Sequence, residues 1–172
     1  HARSIDDGRT IYDRPLPGIL ASRPLVRGTD AFFGTGAGKV LRVDASSGNI
    51  TWQVDVDAEV VEPPIAAGNH LYVVTGLDTV YALDTESGQG IWVHKHPLPS
   101  GVSIRGQGKP TLMATPTGDV VIAGRASGQI HLLNAQSGEV LATWTVDESD
   151  AFRDVDAEPI VVPGGVVVAG FG

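Results

Sequence analysis

The 172-residue chain carries 12 Lys and Arg against 20 Asp and Glu, a formal charge of −8, and no cysteine. So few scattered cations do not form the basic stripe that phosphate neutralisation needs, so nucleic acid is excluded as a partner, and disulfides and thiolate metal sites are excluded outright. With 22 Gly, 11 Pro, 42% apolar and 6% aromatic residues, the composition favours many short strands joined by tight turns, an all-β fold with a sizeable core.

In chain order, the residues from His1 onward lack the basic-then-apolar order of a signal peptide. No apolar run approaches the roughly 18 residues that span a bilayer. Any lipid anchor is therefore expected upstream of this segment. The first patterned phrase is IDDGRTIY, ending at Tyr12. A fuller version, VLRVDASSGNITW at residues 40–52, recurs 40 positions later as VYALDTESGQGIW at residues 80–92. A third copy, IHLLNAQSGEVLATW at residues 130–144, has Asn134 in the Asp position and Trp144 displaced by two, which keeps it on the same strand face. Before each copy comes a proline, an apolar run and a glycine: RPLVRG at Pro24, PPIAAG at Pro64 and KPTLMATPTG at Pro110, with EPIVVPGG at Pro159 closing the series.

Alternation of Val80, Ala82 and Asp84 with Tyr81 and Leu83 predicts a strand, and ASSG, TESG and AQSG predict turns. Asp44 and Asp84 recur with those turns and are expected to cap them. One repeat is then four strands: a Pro-led A, an apolar B, C with the Leu-Asp signature, and D with the tryptophan. A two-layer sandwich would also use short strands, but four antiparallel strands per repeat with a recurrent aromatic on the last point to a β-propeller blade. The expected division is a C–D remnant at residues 1–17, blades at 18–57, 58–98 and 99–148, and an A–B half-blade at 149–172. Open edges on such a part-ring are an aggregation hazard, so the chain is expected to be a fragment of a longer protein. An alternative is a homodimer in which each A–B half completes the other copy's C–D half.

The spacing between blades is uneven. Tyr12 to Pro24 and Trp52 to Pro64 each span 12 positions, Trp92 to Pro110 spans 18, and Ala142, in the tryptophan register, to Pro159 spans 17. Two adjacent D-to-A connections are thus lengthened, on one face of the propeller. Each mixes apolar with charged residues: Val102, Ile104 and Phe152 beside Arg105, Arg153, Asp154 and Asp156. Loops on a rigid scaffold are where binding residues concentrate, so these are expected to form an interaction surface.

The phrase at residues 80–92 closely resembles the PQQ-like repeat pattern V-Y-A-L-D-x-x-[ST]-G-x-x-x-W, and the likeness runs through nearly the whole chain. The resemblance implies that Trp52, Trp92 and Trp144 dock each blade on its neighbour. It also implies a ring that commonly has eight blades, of which this chain holds about four equivalents. Two further motifs, SIRGQGKPT at residues 103–111 and DVDAEPIVV at residues 154–162, resemble the BamB family of periplasmic lipoproteins in the outer-membrane β-barrel assembly machinery. This resemblance implies a non-catalytic scaffold whose two loops bind the POTRA domains of BamA, through Val102, Ile104, Arg105, Asp154 and Asp156. Asp154 and Asp156 would share a side of an extended segment, and are expected to receive Arg105 as an internal brace worth about 0–1 kcal/mol if exposed.

Other chemistry is weaker. FGTGAGKV at residues 33–40 lacks the first glycine and the final Ser or Thr of a phosphate loop and falls between strands B and C, so it is expected to be a glycine-rich hairpin. His94 and His96 share a strand face but lack an evident third ligand, so no metal is expected. GVSIRG has Arg105 where a nucleophile elbow needs glycine. The rival functions are a quinone-dependent dehydrogenase, the activity associated with the repeat, and a ligand-sensing propeller with an axial pocket. No cysteine pair or Glu/Asn/Asp constellation supports the former, and no cofactor is expected.

Overall fold

The computed structural model describes residues 1–97, 108–146 and 155–169. Among these residues every regular element is a strand. Strands β1 (Ala2–Arg3) and β2 (Thr10–Tyr12) form a two-stranded ribbon. Three four-stranded antiparallel sheets follow: β3 (Leu25–Arg27), β4 (Asp30–Gly34), β5 (Lys39–Asp44) and β6 (Ile50–Asp55); then β7 (Ile65–Ala67), β8 (His70–Val74), β9 (Thr79–Asp84) and β10 (Gly90–Lys95); then β11 (Thr111–Thr115), β12 (Gly118–Gly124), β13 (Gln129–Asn134) and β14 (Val140–Thr145). A second ribbon, β15 (Ile160–Val162) and β16 (Gly165–Val167), ends the series. In each sheet spatial order equals chain order, the meander of a propeller blade.

The cores lie between sheets. Phe32 and Val40 of the first meet Leu71, Val73 and Leu83 of the second. Tyr72, Val74 and Val80 of the second meet Val121 and Leu133 of the third. Val120, Ile122 and Ile130 of the third face Val166 of the last ribbon. Because middle strands are covered on both faces, β9 buries Val80, Ala82 and Leu83 in near succession. The outer strand β10 alternates exposed and half-buried positions instead.

The turns after β5, β9 and β13 share one design. Asp44 Oδ1 accepts from the backbone N–H groups of Ser46 (2.8 Å) and Ser47 (3.0 Å), Asp84 Oδ1 from those of Glu86 (3.1 Å) and Ser87 (2.8 Å), and Asn134 Oδ1 from those of Gln136 (2.9 Å) and Ser137 (3.1 Å). Hydrogen bonding by Ser46 and Ser87 holds the carboxyls of Asp44 and Asp84 below the usual range. These are capping groups, as their recurrence with the turn suggests.

An aromatic on each outer strand reaches the next sheet's turn. Tyr12 O–H donates to the Ala45 carbonyl (2.8 Å), Trp52 Nε1–H to that of Thr85 (3.0 Å) and Trp92 Nε1–H to that of Ala135 (3.0 Å). The rings of Trp52 and Trp92 lie against Gly88 and Gly138, where a Cβ would come within 2.8 and 2.6 Å of the indole. Those glycines, at φ 73°, also need the left-handed backbone of the turn. Trp144 is placed differently. It pairs with Ile130, as His94 pairs with Val80, while Ala142 opposite Leu132 holds the position of Trp92 opposite Ala82. Trp144 is 45% exposed.

Candidate interaction face

Connections leaving the outer strands and turns joining the second and third strands occupy one face. The regular connection after β6 shows the underlying geometry. Its Val60 N–H donates to the Thr35 carbonyl (3.0 Å) in the β4–β5 turn, and the Gly76 N–H of the β8–β9 turn donates to the Glu59 carbonyl (2.8 Å). Val60 is fully buried and leaves no room for a Cβ at Gly34. Asp57 accepts from the hydroxyls of Thr75 (2.8 Å) and Thr79 (2.7 Å). The connection thereby straps one sheet to the next.

The second lengthened connection is anchored in the same way. Val155, four residues before Pro159 as Val60 is before Pro64, is 1% exposed and donates its N–H to the Arg125 carbonyl (3.2 Å) in the β12–β13 turn. Gly108 packs on the backbone of Asp156 and Ala157 with no space for a side chain. Lys109 Nζ pairs with Glu158, whose carboxylate also lies within 3.5 Å of the Thr111 hydroxyl. The described ends of the two connections therefore adjoin. Of the residues expected to bind a partner, Asp156 stands here, half-buried. Val102, Ile104, Arg105 and Asp154 lie outside the described residues, as does any brace between Arg105 and the two aspartates.

Beside this junction is a polar cluster that sequence reasoning missed. Arg125 and Asp78 are both fully buried and form an ion pair between the second and third sheets, with Nη1 3.0 Å from Asp78 Oδ1 and 3.0 Å from the Asp78 carbonyl. Desolvation outweighs their attraction for both, keeping the Asp78 carboxyl above its ordinary range and the Arg125 guanidinium below its own. The signal was present in the repeat: Thr35 and Thr75 occupy the turn position of Arg125, and Gly38 and Gly128 that of Asp78.

A histidine cluster stands within electrostatic reach of the pair. His94 Nε2 and His131 Nδ1 share a hydrogen bond (3.1 Å), His96 Nε2 contacts the Ser127 hydroxyl (3.0 Å), and the His96 and His131 rings meet edge-on with centroids 4.7 Å apart. His131 is the third histidine absent from the strand-face reading. Even with it, the described residues hold no group of three His, Asp or Glu suited to a metal ion. Burial first, then Arg125 and the neighbouring rings, pushes His131 down to about 3, and burial lowers His94 and His96 as well.

The fold thus favours neutral rings, while the unfolded chain takes up protons below about pH 6.5. Stability is full above that pH and declines as the pH falls toward 3. His131 alone is expected to withdraw about 2 kcal/mol between pH 7.5 and 5. A His131→Gln variant should flatten the pH dependence of the urea midpoint over that range; an unchanged slope would refute the assignment.

On the inner side, β7, β11 and the prolines Pro24, Pro64 and Pro110 line a concavity of about 490 Å³ with Arg23, Lys109 and Glu158 at its rim. Glu62 nearby is held above the usual carboxyl range by burial and by Glu158.

The family model described as outer membrane protein assembly factor BamB matches residues 1–171. The chain belongs to the BamB family. It is 30% identical over 122 residues to outer membrane protein assembly factor BamB of Vibrio cholerae, covering 67% of this chain and 30% of that protein. The crystal structure of BamB from Moraxella catarrhalis superposes with a TM-score of 0.77 at 28% identity, over 89% of this chain and 47% of that one. The chain thus spans less than half the length of these BamB relatives. A quinohemoprotein alcohol dehydrogenase from Comamonas testosteroni matches at TM-score 0.62 and 19% identity, over 74% of this chain and 21% of that one, a likeness of fold alone. Like the BamB structure, this chain is built of four-stranded propeller blades, here as part of a ring. No helix among the described residues is long and apolar enough to cross a membrane.

Proposed function

We propose that this chain is part of a non-catalytic periplasmic scaffold in outer-membrane β-barrel protein assembly, and that its lengthened connections bind the POTRA domains of BamA. The observation that carries the reading is the meeting of the two connections at Gly108, Asp156 and Ala157, on one rigid face built by three blades. Family membership supplies the assembly role, and the chemistry of the loops supplies the contact. Arg105 brings a planar fork of donors typical of interface hot spots, Ile104 and Val102 bring apolar area, and Asp154 and Asp156 bring acceptors for a basic group.

The test is titration of purified BamA POTRA domains with the full-length protein and its variants. Arg105→Ala is expected to weaken binding about 30-fold, as for a hot spot near 2 kcal/mol, and Asp156→Ala about five- to tenfold. Undiminished binding by both variants would sink the site assignment.

A further inference from the structure

The turn between β12 and β13 stands at the base of both lengthened connections. The first connection departs from His96, held by the Ser127 hydroxyl at 3.0 Å. The second returns through Val155, whose N–H is held by the Arg125 carbonyl at 3.2 Å and whose backbone presses on Gly124. One turn therefore grips both, and the Asp78–Arg125 pair fastens that turn to the sheet on its other side.

The pair is a poor device for stability alone. Both side chains are 0% exposed, and Arg125 Nε and Nη2 and Asp78 Oδ2 have no hydrogen-bond partner among the described residues. Asp78 holds φ at 59°, where the matching Gly38 and Gly128 sit at 70° and 76°. Buried ion pairs are often no more stabilising than apolar replacements, and a non-glycine residue at such φ adds strain. What the pair does provide is direction. A charged, two-point grip on the Asp78 carbonyl and carboxylate fixes the turn more narrowly than threonine would.

We propose that Asp78 and Arg125 are positioning residues for the partner-binding face, acting through the residue 125–128 turn on His96 and Val155. This rests on the partner-binding reading above. The test is the double variant Asp78→Gly/Arg125→Thr in the full-length protein, which restores the residues found at these positions elsewhere in the repeat. Its melting temperature is expected to stay within a few degrees of the parent. Exchange of the Val155 amide hydrogen should quicken about tenfold or more, and affinity for BamA POTRA domains should fall about tenfold. Arg125→Lys, which keeps a cation opposite Asp78, should restore most of both losses.

If the double variant binds as tightly as the parent, or its Val155 amide exchanges at the parent's rate, the positioning role is overturned. If the parent itself does not bind, the partner reading falls, and Val155 exchange in the two proteins still decides the role of the pair. Should the double variant fail to fold, Ser127→Ala removes the His96 tether, along with the longer bond from the Ser127 hydroxyl to Gln129 Oε1 (3.3 Å): a tenfold loss of affinity supports the turn as positioning element, and parental affinity overturns it.

Discussion

Trp92→Ala is expected to lower the unfolding free energy by about 3–5 kcal/mol, read as a fall in urea midpoint without a change in slope. The indole fills the space between the second and third sheets beside Tyr72, ring centroids 5.8 Å apart, and lies directly on Gly138. Truncation would empty that space, and the glycine offers no side chain to refill it. The hydrogen bond is the smaller part of the loss, because the Ala135 carbonyl also receives the Tyr72 hydroxyl at 3.0 Å. Trp92→Phe separates the two effects. It keeps a six-membered ring in the space but loses the pyrrole half of the indole together with its N–H, so a smaller loss than for Ala, about 1–3 kcal/mol, is expected. A Phe variant as damaged as the Ala variant would show that the hydrogen bond, not the packing, docks the blades.

The recurrence of these tryptophans was legible in the sequence, while their docking role came from the resemblance to the PQQ-like repeat. Trp52 and Trp92 stand 40 residues apart beside identical turn chemistry, and one blade's geometry accounts for the next. Trp144 shows the limit of that logic. Its two-residue displacement was visible, and with it Ala142 in the tryptophan register; the strand pairing adds that Trp144 stands opposite Ile130, away from the docking position. The tie of Val155 to the Arg125 turn was also within reach, since Val60 and Val155 both lie four residues before a proline.

The Asp78–Arg125 pair was not legible for a physical reason. Each residue is a single departure in a turn that tolerates polar residues, and nothing local distinguishes a solvated charge from a buried one. Their partnership spans 47 positions and exists only once two blades are stacked. His131 was hidden in the same way, its place in strand β13 giving no sign of the rings across the junction. A repeat displays what every blade shares. The residues that make one junction different appear as exceptions, and two exceptions on facing turns are the signal to follow.

Arg125→Met is expected to cost about 3–5 kcal/mol at neutral pH, because it leaves the fully buried Asp78 carboxylate without its cation. Asp78→Gly is expected to cost a similar amount by stranding the guanidinium, less what relief of the positive φ returns. The two variants should part company on acidification. Without Arg125, desolvation holds the Asp78 carboxyl above its unfolded value of 3.8, so the folded state binds the proton more tightly and the deficit shrinks as the pH falls through that raised value. The guanidinium left by Asp78→Gly sheds no proton at any pH where the protein is folded, so that deficit has no such relief. Removing Arg125 also withdraws a positive charge that disfavours protonated His131, His94 and His96. The acid sensitivity of the histidine cluster should therefore weaken in Arg125→Met and persist in Asp78→Gly. Urea midpoints for the parent and the two variants from pH 7.5 to 5 measure both effects. Equal, pH-independent deficits would mean that the two side chains act as packing volume and not as a charge pair.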